Sequence, residues 1–182
     1  MKLGVMCSGN GTNFENIVRT CYQDEVVLMI HNIKDCGARK RACKLGIPCA
    51  HIKSKEEQRI VNEFKWANVD LIVLAGWMKI LTPYFINSFP NKIINIHPSL
   101  LPKYKGLNVI EKALNSGDEF TGCTVHYVNE DLDSGEIICQ GKVPIYRDDT
   151  VDTLTRRIQL KEYCILPGAI EHVKHKLQVG TN

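Results

Sequence analysis

The sequence lacks any long apolar run and any block of like charge, and these absences exclude several classes of protein. Its 182 residues hold no stretch of membrane-spanning length, and the apolar run at the N-terminus is too short for a signal peptide. The net charge is only +3 and the basic residues form no run, which disfavours nucleic acid as the main partner. We therefore expect a cytoplasmic protein that binds neither membrane nor nucleic acid.

The sequence also lacks closely spaced metal or redox motifs. Its eight cysteines are scattered, and no pair has the C-x-x-C spacing of a zinc or redox site. His172 and His175 lie three apart on a predicted helix, but no carboxylate or thiol motif completes a ligand set. We therefore expect reduced thiols and no metal. The length and the 44% hydrophobic content suit one globular domain over 1–182.

Apolar runs of strand length alternate with helical patterns along the chain. We predict strands at 3–7, 26–30, 48–52, 71–74, 93–97, 121–128 and 137–143, and helices from about 13, at 36–45, 55–66, after 83, at 109–116 and at 151–177. The last two strands alternate and are joined by a short connection, so they should pair antiparallel at one edge. The pattern predicts an α/β, three-layer, Rossmann-like domain with a mostly parallel central sheet and an antiparallel edge.

Two local expectations concern helix ends. Ser54 should cap the helix at 55–66, with Glu57 completing a capping box. Pro167 should break or kink the last helix near Leu166, because proline has no N–H to donate.

A glycine-rich turn, Ser8-Gly9-Asn10-Gly11-Thr12-Asn13, joins the first strand to the first helix. Backbone N–H groups at such a helix start suit a phosphate. Phe14 stands where the dinucleotide fingerprint needs a third glycine, and the P-loop Gly-Lys-Ser/Thr is absent, so a phosphomonoester fits better than NAD or ATP. The alternative is a plain tight turn in which Asn13 or Thr12 caps the helix.

The stretch Lys92–Pro102 ends a buried strand with two polar side chains. Asn95 and His97 are two residues apart and so share one face, at the end of the sheet where α/β proteins place ligands. An amide donor beside an imidazole can stabilise negative charge on a carbonyl oxygen. Taken alone, His97 is more simply explained as a histidine at a strand end whose hydrogen bonds are satisfied. Asp133, taken alone, is more simply explained as an exposed residue of a turn. If the loop of Asp133 folds over the strand end, its carboxylate would stabilise the charged imidazole and orient it.

A third segment, Ala75–Leu81, follows a fully apolar strand. Its apolar and aromatic residues are as typical of the protein core as of one wall of a pocket that binds a flat heteroaromatic ring.

Together these residues resemble a known family. The stretch Asn-Ile-His-Pro-Ser-Leu-Leu-Pro at 95–102, followed by Asp133, is similar to the formyltetrahydrofolate-dependent formyltransferases. The motifs SGNGTN at 8–13 and KYKGL at 103–107 narrow the resemblance to the phosphoribosylglycinamide branch of that family, and the similarity runs from Leu3 to about Pro167.

The resemblance implies a reaction and its catalytic residues. The substrates would be 10-formyltetrahydrofolate, as co-substrate, and glycinamide ribonucleotide, whose primary amine is formylated in purine (IMP) biosynthesis without a metal. Asn95 and protonated His97 would hold the oxyanion of a tetrahedral intermediate, and Asp133 would handle protons.

The resemblance also implies binding residues. The substrate phosphate would lie on Gly11, Thr12 and Asn13 with Lys55, and Glu162 would contact the amine end. The folate would contact Met78, Lys79, Ile80, Leu81, Asn95, Asn129, Glu130, Asp131, Leu132 and Asp133. Lys79 stands where the family usually has Arg, and Lys105 where Pro is common. The resemblance leaves open a monomer or a homodimer.

Three alternatives compete with this interpretation. Methionyl-tRNA formyltransferase shares the catalytic stretch but carries a second, basic domain. Formyltetrahydrofolate deformylase uses water as acceptor and carries an N-terminal regulatory domain, which we expect to be missing because the first strand begins at Leu3. An inactive folate- or phosphate-binding module would not require Asn95, His97 and Asp133.

Overall fold

The structure is a computed structural model that describes residues 1–21 and 24–180. The chain divides into two compact units, Met1–Ile94 and Asn95–Asn182. The strands of the described residues form one seven-stranded sheet, in the spatial order Cys49–His51, Glu25–His31, Lys2–Cys7, Leu71–Leu74, Ile93–His97, Phe120–Tyr127 and Ile137–Pro144.

The first unit alternates strands and helices. Its elements are β1 (Lys2–Cys7), α1 (Thr12–Thr20), β2 (Glu25–His31), α2 (Gly37–Leu45), β3 (Cys49–His51), α3 (Glu57–Trp66), β4 (Leu71–Leu74) and α4 (Pro83–Ser88). In its described residues the strands pair in parallel: β1 with β2, β1 with β4, and β2 with β3. Because β1 lies between β2 and β4, the strand order reverses there, and α/β sheets bind ligands beyond the carboxyl ends of strands at such a point.

The second unit contains the antiparallel edge. Its elements are β5 (Ile93–His97), whose last three residues open the unit, α5 (Val109–Asn115), β6 (Phe120–Tyr127), β7 (Ile137–Pro144) and α6 (Val151–Val179). The last two strands pair antiparallel from Phe120 opposite Pro144 to His126 opposite Ile137, with an irregularity before His126. The predicted antiparallel pairing is therefore confirmed.

Burial explains why these segments fold as they do. The β4 residues are all buried, as expected for a parallel strand covered on both sides, and in α1 the buried face includes Phe14 and Ile17, which are fully inaccessible. In α6 the inward face carries Leu154, Ile158, Glu162, Leu166, Ala169, Ile170 and Val173. One charged residue, Glu162, is thus buried among apolar ones.

The expected Ser54 cap and the expected break at Pro167 are not found in the structure, whereas a kink at Pro167 stays a prediction. The third helix begins at Glu57 after Glu56, with no side-chain cap. The Glu57 carboxylate, expected to complete a capping box, instead accepts hydrogen bonds from the backbone N–H (3.0 Å) and the hydroxyl of Thr82. The last helix runs without a break through Pro167. Its residues on both sides of the proline, including Leu166 and Ile170, are fully buried, and this packing offsets the loss of one backbone donor.

Among the described helices, none is long and apolar enough to cross a bilayer.

Candidate active site

The strand β5 delivers two polar side chains at its end. Ile94 and Ile96 are buried on the opposite face, so Asn95 and His97 point together to the other side of the strand. Asn95 is half-buried and His97 is 6% exposed. The strand stops at His97, as predicted from the proline that follows it.

The segment after β5 is tied down by side-chain hydroxyls. Ser99 Oγ donates to the carbonyls of Lys103 (2.7 Å) and Tyr104 (3.1 Å). Thr124 Oγ1, from β6, donates to the Ser99 carbonyl (2.7 Å) and accepts from the Leu101 N–H (3.1 Å). These bonds place the Tyr104 carbonyl beside the imidazole of His97.

The ring of His97 lies between two oxygens. Its Nε2 is 2.8 Å from the Tyr104 carbonyl oxygen, which can only accept, so Nε2 carries a proton. Its Nδ1 is 3.6 Å from Asp133 Oδ2, beyond hydrogen-bond reach but close enough for strong charge interaction. The His97 and Asp133 side chains are 7% and 8% exposed, so solvent screens the pair little.

Asp133 reaches this position through a strained turn. Its φ is +47°, in the left-handed region, and its carboxylate accepts a hydrogen bond from the Gly106 N–H at 2.9 Å. The Lys105 ammonium also contacts the Ser134 hydroxyl, which joins the two loops a second time. The alternative of an exposed turn aspartate is therefore wrong.

A fourth side chain at this site, His126 on β6, escaped the sequence reasoning. Its Nε2 lies 3.2 Å from Asn95 Nδ2 and 3.7 Å from Asp133 Oδ1. Burial lowers the pKa of His126, and the Tyr127 carbonyl and Asp133 offset this only in part. The alternation of 121–128 placed His126 on a strand, but only the strand pairing reveals its neighbours.

The remaining predicted residues of the second unit lie in different surroundings. Asn129, Glu130, Asp131 and Leu132 are exposed, in a loop closed by the hydrogen bond from the Tyr127 N–H to the Glu136 carbonyl (2.9 Å). Glu162 is 6% exposed on α6. Burial raises the pKa of the Cys123 thiol to about 12. The negative charge of Glu162 is the second cause of this shift, so Glu162 lies close enough to interact with the thiol.

In the first unit, the glycine-rich turn leads directly into α1. Gly11 is the N-cap with φ +72°, and no side chain caps the helix, so the alternative that Thr12 or Asn13 caps it is wrong. A Cβ on Gly11 would lie 2.6 Å from the Cα of Ala38, so this position requires glycine for space as well as for φ. Thr12 and Asn13 form the first turn of α1, which is nine residues long.

The other predicted phosphate residue lies outside any helix. Lys55 is exposed in the turn between β3 and α3. Arg59, in the first turn of α3, lies 3.7 Å from Glu56, and both side chains are at least partly exposed. Arg41 is held by the Asn10 carbonyl (2.8 Å) and by Glu15.

The segment after β4 presents apolar side chains to solvent. Met78 is 63% and Ile80 is 72% exposed, and Lys79 is exposed, whereas Trp77 and Leu81 are buried. Buried Ser8 joins this segment to the glycine turn, because its N–H donates to the Gly76 carbonyl and its hydroxyl accepts from the Met78 N–H, both at 2.9 Å. The segment is thus partly core and partly an open apolar surface.

Comparison with known proteins settles the family. A family model described as Formyl transferase matches residues 1–170. The chain belongs to the formyl transferase family. It is 41% identical to the phosphoribosylglycinamide formyltransferase of Haemophilus influenzae, over 93% of this chain and 85% of that protein. It is also 40% identical to the trifunctional purine biosynthetic protein adenosine-3 of Chironomus tentans, over 94% of this chain but only 14% of that much longer protein.

Solved structures agree with this assignment. The phosphoribosylglycinamide formyltransferase of Anaplasma phagocytophilum superposes on this formyl transferase with a TM-score of 0.93 at 37% identity, covering 97% of this chain and 88% of that one. The predicted family and the predicted α/β class, with its mostly parallel sheet, are confirmed. Within 1–21 and 24–180, no group of three or more His, Cys, Asp or Glu side chains is arranged to hold a metal ion.

Proposed function

We propose that this formyl transferase transfers the formyl group of 10-formyltetrahydrofolate to the primary amine of glycinamide ribonucleotide, in de novo purine biosynthesis. The proposal is supported by the similarity to phosphoribosylglycinamide formyltransferases over most of both chains. The folate is a co-substrate, and the proposed chemistry requires no metal.

The observation that carries the residue roles is the 3.6 Å approach of Asp133 to His97 in a buried setting. The amine attacks the formyl carbon, and the carbonyl oxygen becomes an oxyanion. Asn95 Nδ2 and His97 supply N–H donors to it; because Nε2 of His97 is held by the Tyr104 carbonyl, Nδ1 is the nitrogen that donates. Such donors typically accelerate acyl transfer by about a hundredfold or more each.

Asp133 has two tasks in this scheme. Its negative charge favours the protonated imidazole, and it takes a proton from the attacking amine, which passes through water to the leaving folate nitrogen. The Gly106 N–H donates to Oδ2, so the carboxylate is oriented before substrate binds.

The substrate contacts follow from the first unit and from the loop of the second. The phosphate binds the backbone of Gly11, Thr12 and Asn13, at a helix start where no side chain occupies the cap, with exposed Lys55 as counter-charge. In the first unit, exposed Met78 and Ile80 of 78–81 supply apolar surface for the folate ring. In the second unit, the loop 129–133 is the predicted folate contact. Glu162 binds the amine end.

We further propose that 1–182 acts as one formyltransferase catalytic domain located in the cytoplasm. The family match through residue 170 supports the first point. A monomer and a homodimer remain the two predicted oligomeric states.

The test is whether folate release depends on the amine. The protein is incubated with 10-formyltetrahydrofolate with and without glycinamide ribonucleotide, and tetrahydrofolate is measured by absorbance. We expect release only with the ribonucleotide. Equal release without it would indicate the deformylase, and folate binding without release would indicate an inactive module.

A further inference from the structure

His126 lies at the centre of the polar cluster, although the proposed chemistry gives it no task. It is 2% exposed, and its imidazole contacts both Asn95 and Asp133 through Nε2. A buried histidine that joins an oxyanion donor to a catalytic carboxylate is placed to orient one of them.

The proton of the His126 ring can be assigned from its surroundings. Its Nδ1 lies 2.8 Å from the Tyr127 carbonyl oxygen, which can only accept, so Nδ1 carries the proton. In a neutral ring Nε2 is then an acceptor. Asn95 must therefore turn its NH₂ group, and not its carbonyl oxygen, towards Nε2, in agreement with the 3.2 Å distance.

The charges that face His126 also bear on its protonation. Asp133 Oδ1, 3.7 Å away, favours a charged ring, whereas His97, Lys105 and burial disfavour it. Burial is the largest of these effects and lowers the pKa of His126. Burial therefore outweighs Asp133 and the Tyr127 carbonyl, and the balance of these effects favours a neutral ring.

We propose that His126 is a positioning residue that fixes the amide orientation of Asn95. By accepting one N–H of the Asn95 amide, neutral His126 keeps Nδ2 in place and leaves the second N–H free for the formyl oxygen. In the flipped amide, the Asn95 carbonyl oxygen would face the Nε2 lone pair and the donor would be lost. This inference rests on the proposed formyl transfer.

Two substitutions of His126 separate positioning from packing. Gln can place an amide oxygen near the position of Nε2, whereas Asn reaches only as far as Nδ1. We expect His126→Asn to lower kcat about tenfold to a hundredfold with nearly unchanged KM values, because it removes orientation of a transition-state donor. His126→Gln should recover most of that loss. Wild-type kcat in the Asn variant, or equal losses in both variants, would overturn the proposal.

His31 provides a matched control. It is also 2% exposed and its Nδ1 also lies 2.8 Å from a backbone carbonyl oxygen, that of Ile33. His31→Asn should therefore lower the free energy of unfolding as the loss of a buried histidine of this kind does, and it should leave kcat unchanged. If kcat fell as far as in His126→Asn at equal loss of stability, the effect would be structural and the proposal would be wrong.

A measurement without activity tests the same arrangement. Long-range ¹H–¹⁵N correlation spectra of the ¹⁵N-labelled protein at neutral pH distinguish the two tautomers, and His126→Gln assigns the signal. We expect His126 to be neutral with the proton on Nδ1; a proton on Nε2 would contradict the proposal. If the wild type transferred no formyl group, the proposed function would fail while this spectrum would still decide the arrangement of His126.

Discussion

Replacing Asp133 by Asn removes the negative charge next to His97 while keeping the shape of the side chain. The Asn oxygen can still accept the Gly106 N–H, so the turn should stay in place. At 3.6 Å, and with an effective dielectric constant of about 20, the carboxylate and a charged imidazole interact by about 4–5 kcal/mol. Both side chains are more than nine-tenths buried, so solvent reduces this little.

The loss of this interaction should appear in kcat. Since each 1.4 kcal/mol corresponds to about tenfold in rate, and the Asn dipole retains part of the interaction, we expect a fall of about a hundredfold to a thousandfold. The assay is acceptor-dependent release of tetrahydrofolate at saturating substrates. The KM values should change little, because the substrate contacts remain.

A surface variant controls for charge alone. Asp35 is 77% exposed and pairs with Arg39 on α2, and such pairs contribute little to stability. Asp35→Asn should match the wild type in kcat. If folded Asp133→Asn protein kept kcat within a few-fold of the wild type, the proton-handling and charge-stabilising role of Asp133 would be refuted.

The remaining predictions concern binding and stability. Asn13→Ala should mainly raise the KM for glycinamide ribonucleotide, and an unchanged KM in steady-state kinetics would remove Asn13 from the phosphate site. Thr124→Val leaves the Ser99 carbonyl and the Leu101 N–H without their partner and should lower the free energy of unfolding by about 3 kcal/mol in urea titrations; a loss under 1 kcal/mol would contradict this. Burial lowers the pKa values of His31 and His126 in the folded state, so the unfolded chain takes up protons first as pH falls below about 6.5. The free energy of unfolding should therefore be greatest above that pH and decrease below it, by up to about 1.4 kcal/mol per pH unit for each histidine. His126→Gln should make this decrease less steep, and an unchanged slope would contradict the lowered pKa of His126.

Much of the fold follows from local patterns. The strand β4 and the end of β5 at Pro98 are encoded by short apolar runs and by proline, and both lie where the sequence predicts them. The helix ends are less predictable, because distant groups compete for the capping side chains. Glu57 binds Thr82, 25 residues away, instead of its own helix end.

The candidate site is predictable in part for a similar reason. Asn95 and His97 share a face by strand geometry alone, and the resemblance adds Asp133. The Tyr104 carbonyl contacts His97, and the Gly106 N–H contacts Asp133. Both are backbone groups, which every residue type except proline carries, so the identity of these residues does not predict the contacts. His126 is 31 residues from Asn95, and only the pairing of strands brings them together.

The central claim is tested most directly by following the formyl group itself. The wild-type protein is incubated with 10-formyltetrahydrofolate carrying a ¹³C-labelled formyl group and with glycinamide ribonucleotide, and the products are examined by mass spectrometry. The account predicts the label on the ribonucleotide amine in equal amount to the tetrahydrofolate released. Label recovered as free formate, with the ribonucleotide unmodified, would contradict it.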